Sequence, residues 1–203
     1  MQKKELTGLV VCGGKSTRMG MDKSMIIYHE KAQRYHVYDM LGNFCDRVFL
    51  SCNEQQTTDI SSRYEVLPDL PEYSNIGPMA ALLTAFSKYP GRDFLVVGCD
   101  YPLLSDTDLA EFLQFNDNDK IASAFYKAEN LMYEPLIAWY SKKSEDALNR
   151  MYLEKKYSLQ HFLKENNAER YEPTRPENII SVDTSEECQK MKDLLNLNNV
   201  NLE

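Results

Sequence analysis

Short apolar runs alternate along the chain with amphipathic stretches of helical period. The runs lack strict apolar–polar alternation, which is typical of parallel strands covered on both faces. They predict strands at Leu6–Cys12, Arg47–Cys52, Tyr64–Leu67, Asp93–Gly98, Ile121–Tyr126, Glu134–Trp139 and Ile179–Val182. Apolar spacing and capping signals predict helices at Arg34–Leu41, after Gly77-Pro78, after Ser105, and at Lys143–Leu153, Leu159–Lys164 and Ser185–Leu195.

This order of elements indicates one α/β domain. Alternating strands and helices imply a mostly parallel sheet with helices on both faces, a three-layer α/β/α arrangement. No composition break marks a boundary, so a single domain is expected over residues 1–195, followed by an asparagine-rich tail, 196–203, that we expect to be disordered. Ligands of such sheets bind beyond the carboxyl ends of the strands, which directs attention to the residues after each strand.

Composition narrows the class of protein. The 203 residues include 31 acidic and 23 basic side chains, and the resulting net charge of −8 argues against nucleic-acid binding. No apolar run approaches the ~20 residues needed to span a bilayer, so no membrane contact is expected. The five cysteines lack metal-ligand spacing, which favours reduced thiols and a cytoplasmic location.

The segment 13–23 departs from this acidic average. Residues 1–34 hold seven basic and three acidic side chains. Gly13 and Gly14 allow backbone N–H groups to approach an anion closely, and Lys15, Arg18 and Lys23 supply charge suited to a triphosphate. The spacing fits neither the P-loop nor the dinucleotide fingerprint. The segment therefore predicts a phosphate-binding loop, with a solvated surface turn as the alternative.

Aspartates follow three of the predicted strands. They are Asp69, Asp100 and Asp183. A carboxylate that faces a phosphate loop suits Mg²⁺, which binds through one or two carboxylates plus substrate phosphates. Asp100, after the most strand-like segment, is the first candidate. A turn or capping role is the alternative for each, and it is stronger for Asp69 and Asp183.

Together these motifs resemble a known family. The run Leu9-Val10-Val11-Cys12-Gly13-Gly14-x-Ser16-x-Arg18-Met19-Gly20-x-Asp22-Lys23 resembles the N-terminal signature of molybdenum cofactor guanylyltransferases. The resemblance continues at Pro68-Asp69, Gly77-Pro78-Met79-Ala80, Cys99-Asp100-Tyr101-Pro102 and Val182-Asp183-Thr184-Ser185-Glu186-Glu187. It implies a Rossmann-like, nucleotide-diphospho-sugar-transferase-like fold.

The resemblance also implies which residues bind the nucleotide, which are catalytic and which bind the metal. Residues carried over as the nucleotide site are Val11, Cys12, Gly13, Gly14, Lys15, Ser16, Lys23, Ser51, Asn53, Asp69 and Asp100. Arg18, Lys23 and Asp100 form the implied catalytic set, and Asp100 and Asp183 the implied Mg²⁺ ligands. Two departures from the family sequence affect the specificity for base and acceptor. Ala81 replaces a glycine, and Asp183 stands where the family has asparagine.

The implied reaction is Mg²⁺-dependent transfer of GMP from GTP to molybdopterin, with release of pyrophosphate. The acceptor pocket is expected near Lys127–Pro135. Transient contact with molybdoenzymes or cofactor-insertion proteins is a further implication. A cytidylyltransferase, another NTP transferase with a different phosphorylated acceptor, and a non-catalytic nucleotide sensor are the alternatives.

Overall fold

A seven-stranded sheet forms the centre of the computed structural model, which describes residues 6–12 and 22–200. The strands are β1 (Leu6–Val11), β2 (Arg47–Cys52), β3 (Val66–Pro68), β4 (Asp93–Gly98), β5 (Ala122–Lys127), β6 (Met132–Tyr140) and β7 (Glu169–Tyr171). Their order is β3-β2-β1-β4-β6-β5-β7. Only β6 runs antiparallel to its neighbours, β4 and β5. The predicted mostly parallel sheet is confirmed.

Helices cover both faces of the sheet. They are α1 (Gln33–Leu41), α2 (Met79–Lys88), α3 (Asp106–Phe115), α4 (Ser144–Leu153), α5 (Leu159–Glu165) and α6 (Ser185–Val200). The core on one face contains side chains of α2, α4 and α5, and the core on the other contains those of α1 and α3. Every residue of β1 is buried, as its unbroken apolar run predicts. The three-layer α/β/α class is thus confirmed.

Two helices start at the predicted capping boxes. Ser105 and Asp108 exchange side-chain and backbone hydrogen bonds at the start of α3. Thr184 and Glu187 do the same at the start of α6. These reciprocal bonds satisfy backbone N–H groups that have no partner within the helix. Within the described residues, no helix combines the length and apolarity needed to cross a bilayer.

In the last third of the chain the observed elements differ from the predicted ones. The predicted strand Ile179–Val182 is wrong: a 3₁₀ turn, Pro176–Ile179, leads into a segment that joins no strand. Ile179 and Val182 are buried without sheet pairing, because Ile179 packs against the core on one face of the sheet and Val182 packs beneath α6, whereas Ile180 is exposed. The edge strand β7 was not predicted, since three residues with two charges carry little strand signal.

Element ends also differ from the pattern. The third strand occupies Val66–Pro68 rather than Tyr64–Leu67. Helix α6 continues to Val200, beyond its predicted end at Leu195, so the described part of the tail, 196–200, is helical. No glycine or proline stands near Leu195 to stop that helix, which explains its extension.

Candidate functional site

The carboxyl ends of β1 to β4 bring most of the predicted site residues to one edge of the sheet. Cys12 donates its backbone N–H to Ser51 O at 2.9 Å, and Asp69 donates its own to Cys52 O at 3.1 Å. Cys99 N lies 3.3 Å from Val11 O, which places Asp100 beside the end of β1. The predicted residues Gly13, Gly14, Lys15, Ser16 and Arg18 lie outside the described residues.

Asp100 has an unusual environment at this edge. Its Oδ1 atom is buried and has no hydrogen-bond partner among the described residues. The atom lies over Gly98, where an added Cβ would be only 2.5 Å from it. The pKa of Asp100 is raised to about 6, mainly by burial, with the nearby Asp183 carboxylate contributing in the same direction. A buried, unpaired carboxylate oxygen is costly unless a ligand completes it.

Asp183 and Lys23 stand next to Asp100. The Val182 N–H donates to Asp100 O at 2.8 Å, which fixes the segment before α6 against the end of β4. Lys23 Nζ lies 2.5 Å from Asp183 Oδ1 and 3.3 Å from Val182 O. This brings together one lysine and two carboxylates that are far apart in the sequence.

Gln56 was not predicted as a site residue, but it contacts both Cys12, which follows β1, and Asp22. Its Nε2 donates to Asp22 Oδ2 at 2.8 Å and to Cys12 O at 3.5 Å. Asn53 Oδ1 accepts from Gln56 N at 3.1 Å and caps the 3₁₀ turn Glu54–Asp59. The predicted Asn53 therefore lies at the site edge with its oxygen engaged in a cap. The capping-box pattern was readable, but the contact with Asp22 depends on the fold.

Asp69 lies at the ends of β2 and β3. Its Oδ1 accepts a hydrogen bond from Ser51 Oγ at 3.2 Å. Burial raises the pKa of Asp69, and the Ser51 hydroxyl opposes that rise. The chain continues to Leu70, whose N–H donates to the buried Thr84 Oγ1 at 3.0 Å. Asp69 is thus held between the sheet and α2.

The residues fit a magnesium ion that takes some of its ligands from the protein and the others from water and a bound substrate. Among the described residues, no three His, Cys, Asp or Glu side chains cluster closely enough to form a metal site by themselves. Within the part of the chain that the structure describes, Asp100 Oδ1 lacks a hydrogen-bond partner, and Asp183 supplies a second nearby carboxylate. Magnesium commonly takes one or two carboxylates and completes its shell with water and substrate phosphates.

A mostly parallel α/β sheet with carboxylates and a lysine at its carboxyl edge is typical of the doubly wound class, whose ligands bind at that edge. Residues 8–171 match the model of the MobA-like NTP transferase domain, and the chain belongs to that family.

Relatives agree with this assignment. A molybdenum cofactor biosynthesis bifunctional protein from Synechocystis sp. is 34% identical over 137 residues, which cover 67% of this chain and 39% of that protein. A probable molybdenum cofactor guanylyltransferase from Bacillus cereus is 26% identical over 200 residues, covering 93% of this chain and 97% of that protein. The solved molybdopterin-guanine dinucleotide biosynthesis protein A from Archaeoglobus fulgidus superposes with a TM-score of 0.77 at 20% identity, over 94% of this chain and 98% of that one.

Proposed function

We propose that the chain transfers GMP from GTP to the terminal phosphate of molybdopterin and releases pyrophosphate. Family membership and the names of the relatives support this reaction. The observation that carries it is the meeting of Lys23, Asp100 and Asp183 at the carboxyl ends of the strands. In this proposal guanine and ribose lie against Val11, Cys12 and the neighbouring loop, on the same side as Ser51, Asn53 and Asp69. The loop residues Gly13, Gly14, Lys15 and Ser16 then cradle the phosphates.

Charge stabilisation and positioning do the catalytic work. The acceptor phosphate is already ionised, so no general base is needed. Lys23 has one N–H donor beyond the two directed at Asp183 and Val182 O, and with Arg18 it neutralises the triphosphate and the leaving pyrophosphate. Asp100 and Asp183 would hold Mg²⁺, which when bound neutralises phosphate charge at the reacting centre. Asp100 does so only when ionised, and its burial therefore links metal binding to pH.

The test compares two aspartates at opposite ends of β4. Asp100→Asn removes a charge at the carboxyl end of β4, whereas Asp93→Asn changes the other end, where Asp93 Oδ1 accepts from Lys142 N. With GTP, molybdopterin and Mg²⁺, we expect Asp100→Asn to slow pyrophosphate release about 10²–10³-fold. Asp93→Asn should stay near the wild-type rate. Near-normal Mg²⁺-dependent release by Asp100→Asn would refute the assigned role.

Nucleotide selectivity separates the rival functions. Thermal unfolding measured with GTP, CTP, ATP or UTP, each with and without Mg²⁺, reports binding because a ligand of the folded state raises its stability. We expect stabilisation by GTP above the other three. Preference for CTP would indicate a cytidylyltransferase. Stabilisation by GTP without turnover of molybdopterin would indicate a nucleotide sensor.

We also propose a cytoplasmic reaction that delivers its product to molybdoenzymes or to cofactor-insertion proteins by transient contact. All five cysteines carry free thiols. The Cys99 thiol donates to Cys12 Sγ at 3.9 Å and forms no disulfide with it, which suits a reducing compartment.

A further inference from the structure

A second polar cluster lies beside Asp100, on the side away from β1. It consists of Lys127, Glu134 and Tyr101, here called the hairpin cluster. The Tyr101 hydroxyl donates to Glu134 Oε2 at 2.6 Å, and Lys127 Nζ lies 2.6 Å from Glu134 Oε1. The Lys127 and Glu134 side chains are only 17% and 15% exposed, and Tyr101 is buried. Such burial of charge does not by itself stabilise a fold, so its presence calls for another reason.

The reversal of β6 brings this cluster to the site. Because β6 is antiparallel to β4 and β5, it starts at the edge where those two strands end. Lys127 ends β5 and Glu134 lies near the start of β6, so both stand at the carboxyl edge beside Asp100. The Glu134 carboxylate is close enough to Asp100 to act on its charge.

A β-bulge directs Glu134 toward Tyr101. Ala124 pairs with Ala138, but the next residue, Phe125, pairs with Glu134, so β6 contains extra residues at this point. Ala138 and Tyr133 consequently pack on the same face, although strict alternation would place them on opposite faces. Glu134 therefore turns to the opposite face, which Tyr101 and Phe125 share. Bulges beside active sites commonly re-aim a side chain in this way.

Lys127 keeps unused hydrogen-bonding capacity. An ammonium group has three N–H donors, and among the described residues only Glu134 lies within ion-pair distance of it. The Glu134 carboxylate, by contrast, accepts from both Lys127 and Tyr101. The cluster thus holds a lysine in place with donors to spare, while the carboxylate is already engaged.

We propose that Lys127 binds the phosphate monoester of the acceptor, and that Glu134 and Tyr101 position its ammonium group. The inference rests on the proposed function, since it assigns the acceptor side of that site. Cys12, Ser51 and Asp69 lie on the β1–β3 side of Asp100, so the hairpin cluster occupies the side left for the second substrate. Two anionic groups must meet there, and a cation on the acceptor side reduces their repulsion.

The chemical step leaves the lysine unchanged. An oxygen of the acceptor phosphate forms a bond to the α-phosphorus of GTP. The bond from that phosphorus to the α,β-bridging oxygen breaks, and its electron pair leaves with pyrophosphate. Lys127 retains its proton throughout and acts by charge and hydrogen bonding. Glu134 and Tyr101 act through Lys127 and are positioning residues.

Steady-state kinetics of Lys127→Met, with GTP and molybdopterin varied separately, tests the proposal. We expect the KM for molybdopterin to rise at least 10-fold, with the KM for GTP within twofold of wild type. Lys127→Arg should restore part of the acceptor affinity, and Tyr101→Phe should raise the acceptor KM about threefold to 10-fold. Lys143→Met is the matched control, because Lys143 pairs with Asp119 at the opposite edge of the sheet. An unchanged acceptor KM in Lys127→Met would overturn the proposal.

Two further measurements keep the outcomes distinct. The double variant Lys127→Met/Glu134→Gln removes the uncompensated carboxylate, so a folding defect of the single variant is recognised by its rescue in thermal unfolding. Calorimetric titration of molybdopterin into protein with Mg²⁺ and a non-hydrolysable GTP analogue measures acceptor binding without turnover. If wild type fails to turn over but binds molybdopterin in a Lys127-dependent manner, the proposed function fails and this inference stands. Lys127-independent binding defeats the inference alone.

Discussion

Gly98→Ala should separate activity from stability at the carboxyl end of β4. The added Cβ would lie 2.5 Å from Asp100 Oδ1 and 3.2 Å from Leu136 Cβ. Ordinary contact begins at 3.4 Å, so Asp100 Oδ1 must retreat by roughly 1 Å. A carboxylate can swing away at little cost, and Asp100 Oδ1 gives up no hydrogen bond with the described residues when it does.

The two effects differ greatly in size. A misplacement of about 1 Å in a reacting constellation can cost roughly 10²-fold in rate, so we expect kcat to fall by about that factor. The closer contact with Leu136 costs about 1 kcal/mol as mild overpacking. For a chain of this length that corresponds to a fall in Tm of roughly 2–4 °C.

The assay pairs pyrophosphate release with thermal unfolding, and Gly8→Ala is the control. A Cβ at Gly8 would lie 3.1 Å from both Leu41 Cβ and Val48 Cγ2, inside the core and away from Asp100. This variant should lose about 1–3 kcal/mol of stability while its folded fraction retains normal turnover. If Gly98→Ala kept Mg²⁺-dependent turnover within twofold of wild type, the position of Asp100 Oδ1 would not matter to the reaction.

Three further predictions concern Thr84, His36 and Asp100. Thr84→Val leaves the Leu70 N–H without its acceptor, so we expect the free energy of unfolding, measured with a chemical denaturant, to fall by about 1–3 kcal/mol. We also expect a higher KM for GTP, and an unchanged KM would show that this bond does not affect nucleotide binding. Burial, aided by the charge of His29, lowers the pKa of His36 to about 4 from 6.5, so stability present above pH 6.5 is lost as pH falls toward 4. Because His36 is only half-buried the loss should be about 1–2 kcal/mol, and His36→Gln should flatten the pH dependence of unfolding; an unaltered slope would contradict the assignment. Burial raises the pKa of Asp100 to about 6, so Mg²⁺ affinity measured by calorimetry with bound GTP should weaken as pH falls below 6 and proton competes with metal; constant affinity down to pH 5 would oppose Asp100 as a ligand.

The local pattern of apolar residues was enough to predict the parallel strands β1, β2 and β4. The apolar runs of β1, β2 and β4 are each nearly fully buried, and their pattern placed them within a residue of their observed ends. The rule that ligands bind after the strands then selected Asp69 and Asp100 without any knowledge of side-chain contacts.

The sequence led us to expect the acceptor pocket near Lys127–Pro135, but the contact between Glu134 and Tyr101 depends on the fold. Glu134 faces Tyr101 only because a bulge changes the register of β6, and register depends on a partner strand rather than on local sequence. Gln56 meets Asp22 across 34 positions, and Val182 is buried without belonging to a strand. Burial alone does not tell a strand from an irregular segment that packs under a helix.

The reversed direction of β6 has a consequence for how this protein could diversify. In the proposed site, the nucleotide side is assembled from loops spread over much of the chain, so a change in one loop must remain compatible with the others. The proposed acceptor side takes Lys127 and Glu134 from a single hairpin, whose connection, 128–131, is exposed, and Tyr101 from the segment after β4. A new acceptor could therefore be accommodated by exchanging one short contiguous piece of the gene, while the nucleotide-binding loops kept their sequence.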